Sequence, residues 1–222
     1  MLNRLPSWIW FGAWVLAFVA GMVNVLGFLG FEHQMLTHMT GLTSQLGVAI
    51  NEGDGVGVFR IVSVMVAFLS GAFVSGLLIQ NDEFHWGARY GLALFLETIV
   101  LAVAYALLRR ESNFGFYLAS FACGLQNAMV ATFSGSVIRT THVSGMFTDL
   151  GVALGHRLRK LPVDRRRIRI CVSTITGFFA GGMLCAVLYP HFGKACLLIP
   201  AMITATLSTT FLRLRKRYAK RD

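Results

Sequence analysis

The sequence predicts an all-α polytopic membrane protein with six long transmembrane helices and two short polar helices, re-entrant or partial, built from two sequence repeats. Three observations carry that expectation: apolar runs of membrane-spanning length, basic residues gathered beside two of those runs, and a polar motif that occurs twice.

Of the 222 residues, 55% are apolar and only 14% are charged. Apolar runs extend over Trp8 to Leu29, Phe59 to Ile79, Ala88 to Leu108, Phe114 to Phe133, Ile168 to Leu188 and Ala195 to Leu212. Each approaches or reaches the roughly 20 residues that a helix needs to cross the hydrocarbon core. The first run follows Met1 to Arg4 as a signal peptide would, but its apolar stretch is longer than a signal core and further runs follow, so it reads as an uncleaved first helix.

The net charge of +10 is unevenly placed: thirteen of the twenty Lys and Arg lie between Arg157 and Arg169 or in the tail from Arg213 to Arg221. Basic clusters flanking spans are the positive-inside signature, so the C-terminus is expected in the cytoplasm, with both clusters against anionic lipid headgroups. No aromatic-interleaved basic face accompanies the charge, which argues against nucleic acid as a partner. Cys123, Cys171, Cys185 and Cys196 lie inside apolar runs without Cys-x-x-Cys spacing and read as small packing residues.

"THMTGLTSQLGVAI" at 37–50 matches "THVSGMFTDLGVAL" at 141–154, an offset of 104. Upstream, "GMVN" at 21–24 matches "GLQN" at 124–127, and downstream "SGAFVSG" at 70–76 is matched to "TGFFAGG" at 176–182. The chain is therefore expected to be one membrane domain over 1–222, with repeat one at 8–109, repeat two at 111–213 and a basic tail at 213–222. Gly71 with Ser75, Ala72 with Gly76, and Gly177 with Gly181 have the spacing of close helix-packing seams.

On a helical wheel, Thr141, His142, Ser144, Gly145, Thr148, Asp149 and Gly151 share one half, opposite Val143, Met146, Phe147, Leu150 and Leu154. Thr37, His38, Thr40, Gly41, Ser44, Gln45 and Gly47 form the matching polar side in the first copy. A helix of about 14 residues is about 21 Å long, short of the roughly 30 Å core, so it spans with help or enters partway. The segments before the short helices, 30–36 and 134–140, read as extended chain. Such half-helices aim their positive ends inward and build sites for polar or anionic solutes in transporters. The competing reading is architectural, with Ser and Thr bonding the carbonyl four residues back and Gly allowing close packing. Ionisable groups at membrane depth, Arg139, His142 and Asp149 with His38 and Glu32, favour a site. Glu97 interrupts an apolar span, and protonation, pairing with Arg139 and a proton relay all remain open. Asn24, Gln126 and Asn127 suit interhelical hydrogen bonds as well as substrate contact.

A hydrolase is not expected: Ser144 and His142 lie about 160 degrees apart on one helix, and no Gly-x-Ser-x-Gly elbow occurs. A metal held by His38, His142 and Asp149 is the least favoured reading, and no metal or cofactor is expected.

The duplicated Thr-His-x-(Thr/Ser)-Gly with a following Leu-Gly, and "ACGLQNA" at 122–128, resemble the YoaK-type family of bacterial inner-membrane proteins over essentially the full length. Ser144 stands where that family would have Thr, keeping the hydroxyl. The resemblance implies a multi-pass bacterial plasma-membrane protein with about six spans and no established activity. Lys and Arg counts do not separate six spans with an inverted repeat from eight with a parallel one.

The expected function is a secondary transporter or permease for a small polar or anionic solute. Its site would lie between the two motif helices, built from Thr37, His38, Thr40, Gly41, Gln45, Gln126, Asn127, Arg139, Thr141, His142, Ser144 and Gly145, with Glu97 or Asp149 coupling a proton. The alternative is a non-transporting scaffold or partner-binding protein in which these helices only pack the repeats together.

Overall fold

The computed structural model describes residues 9–79 and 88–218; residues 1–8, which bear on the uncleaved first helix, and the last four residues of the basic tail lie outside them. Eight α-helices are described: α1 Ile9–Gly30, α2 Met39–Asn51, α3 Gly55–Leu78, α4 Ala88–Arg109, α5 Phe114–Ser134, α6 Val143–Leu158, α7 Arg165–Phe192 and α8 Leu198–Tyr218, with a 3-10 turn Gly193–Leu197 before α8. Five described stretches are long and apolar enough to cross a membrane: α1, α3, Arg89–Arg109 of α4, α5, and a single Arg165–Arg213 run containing α7 and α8.

The surface pattern is that of a protein solvated by lipid. Phe59, Val62, Val66, Leu69, Phe73 and Leu77 run down α3 at helical spacing and are all exposed, Phe59 at 71%. Polar side chains lie inside instead, among them Ser120, Gln126, Thr140 and Thr204. Burying apolar area stabilises little where the surroundings are hydrocarbon, so close van der Waals packing and interior hydrogen bonds must hold the helices.

Close packing is supplied by glycine at two crossings. A methyl group added at Gly124 would overlap the Phe68 carbonyl, and one at Gly71 would overlap that of Phe121, so α3 and α5 touch backbone to backbone. Gly21 against Phe178 and Gly181 against Phe18 do the same for α1 and α7. Trp14 meets Gly177 where Phe18 meets Gly181, and Val64 meets Ser120 where Phe68 meets Gly124, so numbers rise together along each pair: α1 runs parallel to α7 and α3 to α5.

Other contacts set the remaining directions. Gln126 of α5 donates to the Leu16 carbonyl of α1 (2.9 Å), and Phe31 just beyond α1 stacks on Phe116 (4.7 Å between centroids), so α1 and α5 are antiparallel. Tyr90 meets Phe133, and Gly115 sits against Ala104 and Leu108, which makes α4 antiparallel to α5. Thr98 meets Thr204 (2.9 Å) and Ser208 donates to the Gly91 carbonyl (2.9 Å), which makes α8 antiparallel to α4. The six long helices therefore alternate in direction in the order α1, α3, α4, α5, α7, α8. The starts of α1, α4 and α7 and the ends of α5 and α8 share one end of the bundle, called the basic end because the α6–α7 connection and Arg213 lie there.

Both short helices return to the end from which their lead-in segments come: α2 lies between the end of α1 and the start of α3, α6 between the end of α5 and the start of α7. The lead-ins are not simply extended. Two left-handed residues follow each long helix, Glu32 and His33 (φ 45 and 59) and Gly135 and Ser136 (φ 59 and 65), turning the chain back before a short extended step.

One sequence match is corrected. Asp54 caps α3 by accepting from the Gly57 N–H (2.9 Å), and Asp164 caps α7 by accepting from the Arg166 N–H (2.8 Å). With Phe68 and Phe178, and Gly71 and Gly181, these pairs share an offset of 110. "AFLSGA" at 67–72 thus corresponds to "GFFAGG" at 177–182, one helical turn from the match drawn on sequence, because the α6–α7 connection is longer than the α2–α3 turn. Gly71 corresponds to Gly181, and Gly177 to Ala67.

Candidate functional site

The duplicated motif has a local explanation at each position. The Thr37 N–H and hydroxyl both donate to Asn24 Oδ1 (3.0 and 2.8 Å), and the Thr141 N–H donates to Asn127 Oδ1 (3.4 Å). These asparagines, six and seven residues before their helices end, hold the lead-ins about 10 Å inside the bundle. His38 and His142 follow as N-caps with nearly the same backbone, φ −95 in both, and neither side chain makes a cap hydrogen bond. Each imidazole instead folds over the first turn of its helix. A methyl group at Gly41 would lie 2.5 Å from His38 Nδ1, and one at Gly145 2.7 Å from His142 Nδ1, so the motif glycine is the space that the ring occupies.

The second copy opens onto a polar cavity. It measures about 660 Å³ and is lined by Ser136, Arg139, His142, Ser144, Thr148 and Asp149, with Arg167 from α7. Arg139 is exposed, and Asp149 pairs with Arg167 at 3.0 Å. The first turn of α6 brings unpaired backbone N–H groups to the same place, where the helix dipole is positive. Arg139, His142, the Ser144 hydroxyl and this helix end therefore form a cationic, donor-rich recess at the basic end, suited to an oxyanion.

The predicted residues do not all converge. Thr40 and Gln45 are exposed on α2, and no α2 residue lines the recess. α2 and α6 enter from opposite ends, so His38 and His142 head separate helices rather than facing each other. Gln126 is committed to protein partners, donating to Leu16 and to Thr140 Oγ1 (3.2 Å), and Asn127 holds Thr141. Several hydroxyls bond back along their own helix as the architectural reading expects: Thr43 to Met39 (2.9 Å), Ser44 to Thr40 (3.3 Å) and Thr148 to Ser144 (3.1 Å). Glu32 pairs with Arg60, which also lies over the Phe31 ring. His142 lies over Gly145, and Asp149 is held by Arg167.

Glu97 is 1% exposed, and its Oε2 has no hydrogen-bond partner among the described residues. It does not pair with Arg139, which lies in the recess. The registers of Tyr90 with Phe133 and Gly115 with Ala104 put Glu97 level with residues 122–126 of α5, in the middle of the bundle. There Gln126 Oε1 also lacks a partner among the described residues.

Two contributors escaped the sequence reading. Arg167 was one charge in a basic cluster, and nothing local marks it as the partner of Asp149, eighteen residues away. Ser120, whose hydroxyl lies 3.0 Å from the carbonyls of Leu36 and of Val64, ties the first lead-in to α3 and α5.

Residues 12–210 match the sequence pattern of a family described as protein of unknown function (DUF1275). Among curated proteins, "UPF0700 transmembrane protein YoaK" of Bacillus subtilis (strain 168) is 26% identical over 212 residues, 90% of this chain and 93% of that protein. "UPF0700 transmembrane protein RA0705" of Rhizobium meliloti (strain 1021) is 27% identical over 206 residues, 93% of this chain and 87% of that protein. No solved structure matches. With its exposed apolar stripes and long apolar helices, the chain is an integral membrane protein.

Proposed function

The chain belongs to the DUF1275 family of membrane proteins, and from that premise we propose a secondary transporter or permease for a small oxyanion-bearing solute, bound in the recess before α6. The observation that carries it is the recess itself: a cavity of about 660 Å³ that gathers Arg139, His142 and Ser144 at the positive end of a helix starting inside the bundle. A cavity of that volume suits a small solute.

The proposed topology has six crossings and two re-entrant helices, in two inverted repeats. The alternating directions of the long helices support it, as does the way α2 and α6 return to their own ends. The basic end is assigned to the cytoplasm by the positive-inside rule, which places the recess on that side with the C-terminus. The basic loop and tail would meet anionic headgroups there. The reading is non-enzymatic.

The test is a thermal-shift screen of purified protein against acetate, phosphate, sulfate and small amino acids, followed by uptake into proteoliposomes. Stabilisation that disappears in Arg139→Gln and His142→Ala, while the unliganded proteins melt alike, is the expected result. No stabilisation by any oxyanion would remove the assignment. One observation favours the scaffold reading instead: Val48 and Ile50 of α2 and Phe147, Val152 and Leu158 of α6 are exposed beside the polar faces. If that reading holds, the same substitutions change association with a partner and leave solute behaviour untouched.

A further inference from the structure

The two repeats are packed differently at one pair of corresponding seams. "FGAWVLAFVAGMVN" at 11–24 corresponds to "FGFYLASFACGLQN" at 114–127, which equates Gly12 with Gly115. α4 corresponds to α8 with Thr98 at Thr204, so Ala104 equates with Thr210 and Leu101 with Leu207. Thr98 and Thr204 touch each other (2.9 Å), as equivalent residues do on a two-fold axis.

At the opposite end, α4 is closed on α5. A methyl group at Gly115 would lie 2.5 Å from the Ala104 carbonyl oxygen and 2.6 Å from Leu108 Cγ, and Leu101, Ala104 and Leu108 are all fully buried. At the basic end, the corresponding α1–α8 seam is open. Gly12 and Thr210 line a crevice of about 360 Å³, together with Leu16 and Phe211, and with Leu94 of α4 and Val130 of α5 at its back. The same glycine that brings two helices into backbone contact in one copy lines a crevice in the other.

We propose that these seams are the two gates of an alternating-access cycle. α8 closes onto α1 as Gly12 meets Thr210 at the basic end, while α4 leaves α5 at the opposite end. Two inverted copies of one sequence can exchange conformations at small net cost, because each arrangement is the other's image; two packings separated by a few kcal/mol suffice. The crevice is apolar, so it is the room into which α8 moves; the polar path is the recess before α6. The proposal rests on the inverted-repeat reading of the proposed function, and it requires no particular solute.

Single cysteines at Ala104 and Thr210, with the four native cysteines replaced, report each seam through its rate of maleimide modification in liposomes. Thr210→Cys, exposed in this arrangement, should react freely. Ala104→Cys should react at about a thousandth to a tenth of that rate, the population of a minor state. Gly12→Leu fills the crevice but leaves no room for closure, and should lower the Ala104→Cys rate about tenfold or more. Gly115→Ala presses α4 off α5 and should raise that rate, which keeps the test usable if Gly12→Leu fails to fold.

An Ala104→Cys rate unmoved by either glycine change overturns the proposal. So does a phospholipid retained in the crevice, seen by native mass spectrometry in the wild type and lost in Gly12→Leu, because the crevice would then be a lipid site. Modification needs no solute, so these rates can behave as expected while oxyanion binding fails, and the reverse.

Discussion

Replacing Gly124 by alanine adds one methyl group at the α3–α5 crossing. That methyl would sit 2.8 Å from the Phe68 carbonyl carbon, and nearer still to its oxygen, where ordinary contact begins at 3.4 Å. The partner is backbone, so no side chain can swing away, and the helices must separate by at least about 0.6 Å. A gap of 0.5–1 Å forfeits roughly a quarter to a half of each affected dispersion contact. In lipid no large apolar transfer term offsets that loss. The expected cost is about 1–3 kcal/mol, as for overpacking elsewhere. Gly76→Ala on α3 is the matched control, because nothing lies within 4 Å of its added methyl. It should stabilise by about 0.4–1 kcal/mol through reduced freedom of the unfolded chain. Gly71→Ala combined with Gly124→Ala should cost less than the sum of the two, since one displacement relieves both overlaps. Equilibrium unfolding in lipid or mixed micelles measures all four proteins. If Gly124→Ala unfolds no more easily than Gly76→Ala, glycine-mediated contact does not hold this crossing.

Asn24→Ala leaves the Thr37 N–H and hydroxyl without their acceptor and should cost about 1–3 kcal/mol; Asn127→Ala, which removes one longer bond, should cost less in the same unfolding measurement. Asp149→Asn should change the melting temperature little, since the pair with Arg167 is partly exposed and such pairs contribute about 0–1 kcal/mol. His142→Ala should melt like the wild type, because the ring makes no cap bond, yet lose oxyanion-dependent stabilisation. Glu97→Gln keeps the shape of a buried side chain while removing its capacity to carry charge, and should match or exceed wild-type thermal stability. A proton-coupled uptake signal that survives Glu97→Gln would remove Glu97 from coupling.

The sequence by itself determined the class of the protein and the existence of the motif. Apolar length, charge placement and the paired Thr-His-x-(Thr/Ser)-Gly are local or periodic properties, and these survive in one dimension. It also supplied most of the recess, because Arg139, His142, Ser144, Thr148 and Asp149 come from one continuous stretch.

Only the tertiary structure decided the rest. Helix direction depends on which glycine meets which carbonyl across a crossing, and small residues four apart occur in too many places to fix a register, so the third element was matched one turn away. The reason for the motif glycine, the capture of Asp149 by Arg167 and the commitment of Gln126 and Asn127 to protein partners all depend on side chains folding back through space. The separation of His38 from His142 follows from α1 and α5 running antiparallel. Two sequences as alike as 11–24 and 114–127 carry no sign that one is closed against its neighbour while the other lines a crevice, since that depends on the partner helix each meets in space.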